Sequence, residues 1–264
     1  MSEDARPAGG FDALTHLDQL ADALPEVCDR ARQAGVGGWL IAGWDPALWA
    51  EVKAAVAGSG GVLALGVHPW VAGRVSADRA VELLDGEAPP VVGEIGLDHH
   101  RARSDADRAV QRALFRAQLA WARAHDRPVV IHAVRAVPEV LHVLARDGLP
   151  AAGGMLHGLH SGPDLALRAV ELGLHVSIGP LILGRSPHRI VASLEAVPPE
   201  RVLLETDCPE QPIGELARPT PAALVVVARA VARVWSVDVD RVLKTTGDAA
   251  RALFRQPVER SGRG

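Results

Sequence analysis

Val91-Val92-Gly93-Glu94-Ile95-Gly96-Leu97-Asp98 sets the terms on which the rest of the chain is read. Residues 91–95 are an apolar, β-branched run of strand length that carries a carboxylate near its C-terminal end. The glycines flanking Glu94 allow close approach of backbone and ligand, and two carboxylate oxygens can bridge two cations about 3.5–4 Å apart. Working outward, short hydrophobic runs of the same kind end at His132 and His157, precede Asp207 and, after Leu14, lead to His16.

Such runs recur at 11–14, 38–42, 62–67, 91–95, 129–131, 155–156, 175–178 and 202–204. Amphipathic stretches long enough for helices lie between most of them, at 46–57, 107–125, 137–145, 164–172 and 187–196. Strand alternating with helix predicts parallel α/β architecture, and eight such units predict a closed (β/α)8 TIM barrel. In the longest helix Val110, Leu114, Ala117 and Trp121 recur at apolar spacing, with Arg108, Arg112, Arg116 and Arg123 on the wet side. Residues 220–254 predict two or three C-terminal helices packed against the outside, after a loop at 214–221.

The 264 residues are 48% hydrophobic, enough for one large core, so a single domain over 11–254 is expected between a flexible leader (1–10) and a flexible tail (255–264). The leader has no apolar signal core, and no apolar stretch is long enough for a membrane span. The two cysteines, Cys28 and Cys208, have no disulfide or metal spacing, and a reducing, cytoplasmic setting is expected. A net charge of -4 offers no global attraction for nucleic acid, which would have to meet a local patch. Arg101, Arg103, Arg108, Arg112 and Arg116 are candidates; alternatively they are the wet face of a soluble helix.

In a closed barrel the strand C-termini converge on one mouth. His16, His68, Glu94, His132, His157 and Asp207 then meet, although each alone is unremarkable. His16, Glu94, His132, His157 and Asp207 are the candidate metal ligands, for one or two divalent cations: zinc, manganese, magnesium or iron. Glu94 would bridge, His132 and His157 would complete one position, and Asp207 would serve the other while orienting or deprotonating water. Leu14 shares a strand face with His16 and supplies no lone pair, so asymmetric occupancy is expected, weaker beside His16. Asp207, Glu94 and His68 are the candidate catalytic residues. His68, Trp70 and Arg135 are the candidate substrate contacts, Trp70 as a stacking surface or simply a cover for the barrel mouth.

The chain resembles the TatD-like metal-dependent deoxyribonucleases, within the amidohydrolase-like barrels. The resemblance runs from Phe11 to Phe254. Its motifs are the segments 11–18 (FDALTHLD), 66–69 (GVHP), 93–98 (GEIGLD), 128–132 (PVVIH), 156–158 (LHG), 204–209 (LETDCP) and 245–249 (TTGDA). It implies a two-metal phosphodiesterase that cleaves DNA, typically from an end or on single strands, and the sequence itself gives no sign of an obligate protein partner. The chain departs from the pattern at Leu14 and Trp70, where relatives have histidine, at Val134 for arginine, at Leu159-His160, and at Arg218-Pro219-Thr220-Pro221. The alternatives are a one-metal hydrolase of another small ester, amide or phosphoester, and a metal-binding homologue without catalysis.

Overall fold

The computed structural model describes residues 9–254. The expected tail and all but the last two residues of the expected leader lie outside that range, and Gly10 already belongs to a strand. Eight parallel strands close into a barrel in sequence order: β1 (Gly10–Thr15), β2 (Val36–Gly43), β3 (Val62–Leu65), β4 (Val91–Asp98), β5 (Val129–Val134), β6 (Gly154–Leu156), β7 (Leu174–Ile178) and β8 (Val202–Leu204). Closure runs through Asp12 opposite Leu204, and through a bridge between Thr15 and Cys208 beyond the strand end.

Seven helices connect the strands: α1 (Leu24–Gln33), α2 (Trp49–Ser59), α3 (Ala77–Glu87), α4 (Asp105–Ala124), α5 (Val137–Asp147), α6 (Pro163–Glu171) and α7 (His188–Ala196). Two more follow, α8 (Leu224–Trp235) and α9 (Val239–Leu253). Two connecting helices, α1 and α3, were not expected. The α1 stripe is Leu24, Val27, Cys28 and Ala31 among charged residues. On α3 only Ala80 and Leu84 are buried, too few for a visible period, and the cap by Ser76 on the Arg79 amide marks its start.

The period of two sorts six of the strands, β2 to β6 and β8, between two cores. Leu40, Ala64, Val91, Val130, Met155 and Leu203 point into the barrel, whereas their neighbours Ile41, Leu65, Val92, Ile131, Leu156 and Leu204 meet the helices. Leu14 is fully buried in the inner set. The tail helices do not both lie outside as expected: Ala250, Leu253 and Phe254 join the inner core, with Phe254 stacked 6.1 Å from Phe11. α9 therefore stops the base of the barrel, because the interior there still offers apolar surface to cover.

The expected face of α4 needs correction. Val110 is 47% exposed, and Gln111 and Gln118 turn inward with Leu114, Phe115 and Leu119. The reason is backbone accounting: beyond Leu65 the amides of Gly66 and His68 still donate to the carbonyls of Gly43 and Trp44, but the buried Val67 peptide groups between them need a side chain. Gln118 accepts from the Val67 amide (2.7 Å) and donates to its carbonyl (2.9 Å). Gln111 accepts from the Asp98 amide (2.9 Å) and donates to the Pro69 carbonyl (3.1 Å). The arginine patch is also divided, since Arg112 pairs with Glu139 and Arg116 with Asp147.

Candidate metal centre

The two glycines beside Glu94 serve the neighbouring strand. A Cβ at Gly93 would stand 2.5 Å from Val130 Cβ, and one at Gly96 2.0 Å from the His132 carbonyl oxygen. Their absence lets β4 lie tightly against β5, which brings Glu94 and His132 together. On the other side of the mouth β1 and the segment after β8 are laced together. The His16 amide donates to the Cys208 carbonyl (2.8 Å) and the Asp207 amide to that of Leu14 (3.0 Å). Buried Asp12 accepts from the Thr206 amide (2.9 Å) and hydroxyl (2.6 Å). Asp207 itself adopts φ 53°, a left-handed conformation that Asp tolerates better than most residues.

Distances at the mouth fall into two groups that share Glu94. His16 Nε2 lies 3.4 Å from Glu94 Oε1 and 3.3 Å from Asp207 Oδ1. His157 Nε2 lies 2.8 Å from Glu94 Oε2 and 3.0 Å from His132 Nδ1, which is 3.6 Å from the same oxygen. Donor atoms bound at about 2.0–2.2 Å to one tetrahedral cation lie about 3.3–3.5 Å apart, close to these spacings. The residues expected to hold metal, His16, Glu94, His132, His157 and Asp207, thus converge.

The far nitrogen of each ring shows which atom faces the cavity as a lone pair. His16 Nδ1 meets the Ala42 carbonyl at 3.0 Å, so it carries the hydrogen and Nε2 is free. His132 Nε2 faces Asp98 Oδ2 at 3.4 Å, leaving Nδ1. His157 Nδ1 faces Glu205 Oε1 at 3.6 Å, with neither atom hydrogen-bonded, leaving Nε2. His132 Nδ1 and His157 Nε2 stand at hydrogen-bond distance, 3.0 Å apart, so one of them carries the hydrogen between them, and a cation bound by both would take that hydrogen's place. These residues therefore fit a divalent cation on donor type, spacing and orientation together.

His68 is oriented the other way. His68, Glu94 and His132 offer ligand-type atoms within 4.8 Å of one another. The Trp70 amide, however, donates to His68 Nδ1 (3.1 Å), so the hydrogen of the neutral ring sits on Nε2, 4.0 Å from Glu94 Oε2. His68 is built to donate a hydrogen bond into the cavity rather than a lone pair.

Without metal, the carboxylates favour a proton on the rings that face them, a proton that a cation would displace. Burial disfavours the His16 imidazolium, but Asp207 and Glu94 outweigh it and lift its pKa to about 9. Burial likewise opposes charge on His157, where Glu94 and Glu205 prevail and raise the pKa. Burial and the neighbouring histidines push His68 down, so it stays neutral. Glu94 is desolvated, yet His157 and His132 hold it well below the usual carboxylate range.

The mouth opens into a cavity of about 360 Å³ lined by these groups with Trp44, Trp70, Val134, His160, Leu181, Glu210 and Gln211. Gln211 Nε2 donates to Asp207 Oδ2 (2.6 Å), which leaves Oδ1 toward His16. Trp70 lines the wall, whereas Arg135, exposed at φ 55°, is not among the lining residues. Sequence reasoning passed over Asp98 and Glu205, although both lie inside quoted motifs. Asp98 binds Trp70 Nε1 (2.6 Å) with the oxygen that faces His132, and the carboxylate of Glu205 accepts a very short bond from the Ser177 hydroxyl. The available signal was a second acid next to each ligand, at Glu94+4 and Asp207−2.

Comparison with known proteins places the chain in a family. The family described as TatD related DNase matches residues 11–255. The chain is 34% identical over 249 residues to a protein of Edwardsiella piscicida named 3'-5' ssDNA/RNA exonuclease TatD, covering 90% of this chain and 95% of that one. It is 27% identical to the uncharacterized metal-dependent hydrolase YabD of Bacillus subtilis, covering 93% and 98%. The crystal structure of the TatD homolog YjjV from Escherichia coli K12 superposes with a TM-score of 0.84 at 27% identity, covering 95% and 99%.

Proposed function

The chain belongs to the TatD related DNase family of metal-dependent hydrolases, and on that premise we propose that it cleaves phosphodiester bonds at the ends of single-stranded nucleic acid. The observation that carries this reading is the convergence of three imidazole rings and two carboxylates on one cavity that also has a tryptophan wall. His132, His157 and Glu94 would hold one cation, and His16, Asp207 and Glu94 a second. A bound cation supplies Lewis acidity toward water and the phosphoryl oxygen.

The chain's own groups do the rest. Asp207 Oδ1 accepts the proton of the attacking water, while Gln211 fixes the other oxygen of that carboxylate. His68 Nε2–H donates to a nonbridging oxygen where negative charge grows. Trp70 offers a face to the terminal base, a contact worth about 1–3 kcal/mol. Nucleic acid as the substrate is supported by the name of the Edwardsiella relative.

The test is release of mononucleotides from end-labelled single-stranded DNA by metal-loaded protein. Asp207→Asn is expected to abolish release and His132→Ala to reduce it sharply. DNA, RNA and simple phosphodiesters all left intact by protein that binds cations would overturn the proposal. A second reading, a hydrolase of small uncharged esters, is favoured by one observation: among the described residues no lysine or arginine lines the cavity. Cleavage of aryl esters with no action on oligonucleotides would establish it instead.

A further inference from the structure

Among the described residues the charged side chains in the cavity wall are Glu94, Asp207 and Glu210, with histidines as the basic groups. A nucleic acid strand has more than one phosphate, and those beyond the bond being cut must find cations outside the wall. Several arginines on this side of the barrel already have partners. Arg74 pairs with Asp45, Arg112 with Glu139 and Arg116 with Asp147, while Arg108 Nε donates to the Ala102 carbonyl. On the opposite rim Arg218 is held by the Gln19 carbonyl, and the Gln19 side chain binds Glu210.

Arg101 differs. Its guanidinium carbon lies 4.1 Å from the ring centroid of Trp70, an indole that lines the cavity and is 45% exposed. Among the described residues no carboxylate pairs with it. Its position relative to the centre is fixed through Asp98. Oδ1 of that carboxylate accepts the Arg101 amide (3.0 Å), and Oδ2 accepts Trp70 Nε1 (2.6 Å) while facing His132 Nε2 at 3.4 Å. One buried acid therefore sets a metal-ligand candidate, an aromatic wall and a rim cation in a single frame. A guanidinium stacked on an indole keeps its in-plane N–H groups free, in the fork that suits two phosphate oxygens.

We propose that Arg101, stacked on Trp70, is the subsite for the phosphodiester adjacent to the one being hydrolysed, so that the strand leaves the cavity across the Trp70 edge. This rests on the nucleic-acid reading above and adds the route of the chain and the group that grips it. Arg101 contacts no reacting atom and acts by binding.

The test compares wild type, Arg101→Gln and Arg101→Lys on an end-labelled oligothymidylate and on bis(p-nitrophenyl) phosphate, which has a single phosphate. Arg101→Gln is expected to raise KM for the oligonucleotide roughly ten-fold with little change in kcat, with a several-fold smaller effect on the small diester. It should also flatten the dependence of log affinity on log salt by about 0.7, the loss of one single-strand phosphate contact. Arg101→Lys should keep the salt slope and recover part of KM. Equal effects on both substrates, or an unchanged oligonucleotide KM and salt slope, would overturn the Arg101 assignment while leaving the nuclease reading in place. Wild-type protein inert toward every oligonucleotide would overturn both.

Discussion

Glu205 Oε1 stands 3.6 Å from His157 Nδ1 while the carboxylate's other oxygen takes the hydroxyl of Ser177, so a fully buried acid lies behind the ring nitrogen that His157 turns away from Glu94. Carboxylates behind metal-binding imidazoles typically contribute about 10- to 100-fold in metal affinity. Glu205→Gln keeps the volume and removes the charge. Isothermal titration with zinc is expected to show a loss of that size; unaltered affinity would mean that Glu205 only packs.

Leu14 supplies no lone pair beside His16, so that position has one nitrogen and two carboxylate oxygens, against two nitrogens and one oxygen at His132 and His157. Metal uptake should therefore be unequal, tighter at the histidine pair. Leu14→His is expected to raise the affinity for the second equivalent of manganese about ten-fold. It should also cost about 1–3 kcal/mol of stability in metal-free protein, because a polar ring enters the inner core. Equal uptake by both proteins would refute the geometric argument.

Gln118 satisfies both backbone groups of Val67, the residue that leads into His68. Each buried peptide group left without a partner costs about 1–3 kcal/mol. Gln118→Ala is expected to lower unfolding free energy by about 2–4 kcal/mol in urea titration. A loss below about 1 kcal/mol would show that water or a shifted loop replaces the amide.

His175 on β7 lies away from the mouth, and burial together with Arg201 lowers its pKa from 6.5 to about 4. The folded state thus favours the neutral ring. Its contribution is complete above pH 6.5 and is lost as pH falls through about 4. After allowance for screening at this partly buried site, about 1–2 kcal/mol is at stake. His175→Gln should flatten the fall in Tm over that range, and identical profiles would count against the assignment.

The eight-strand barrel was legible because strand and helix periods are local and eight hydrophobic runs recur in order. The ligand candidates were legible because they stand at strand ends, which a closed barrel must bring together. The faces of α4 were misread at Val110, since a helix period assigns glutamine to water and takes no account of unpaired peptide groups after β3. The role of the glycines beside Glu94 was also misplaced, because their contacts belong to a strand about forty residues later.

By itself, the order of residues determined the alternation of elements, the candidate ligands and the missing donor at Leu14, all of which follow from residue type and local spacing. Only the tertiary structure decided which ring nitrogen His16, His132, His157 and His68 each turn to the cavity, and that Asp98 joins Trp70, Arg101 and His132. The reason is physical: the state of an imidazole is set by the partner of its far nitrogen. For His16, His132 and His157 that partner comes from a segment distant in the chain, whereas for His68 it is the amide of Trp70, two residues on.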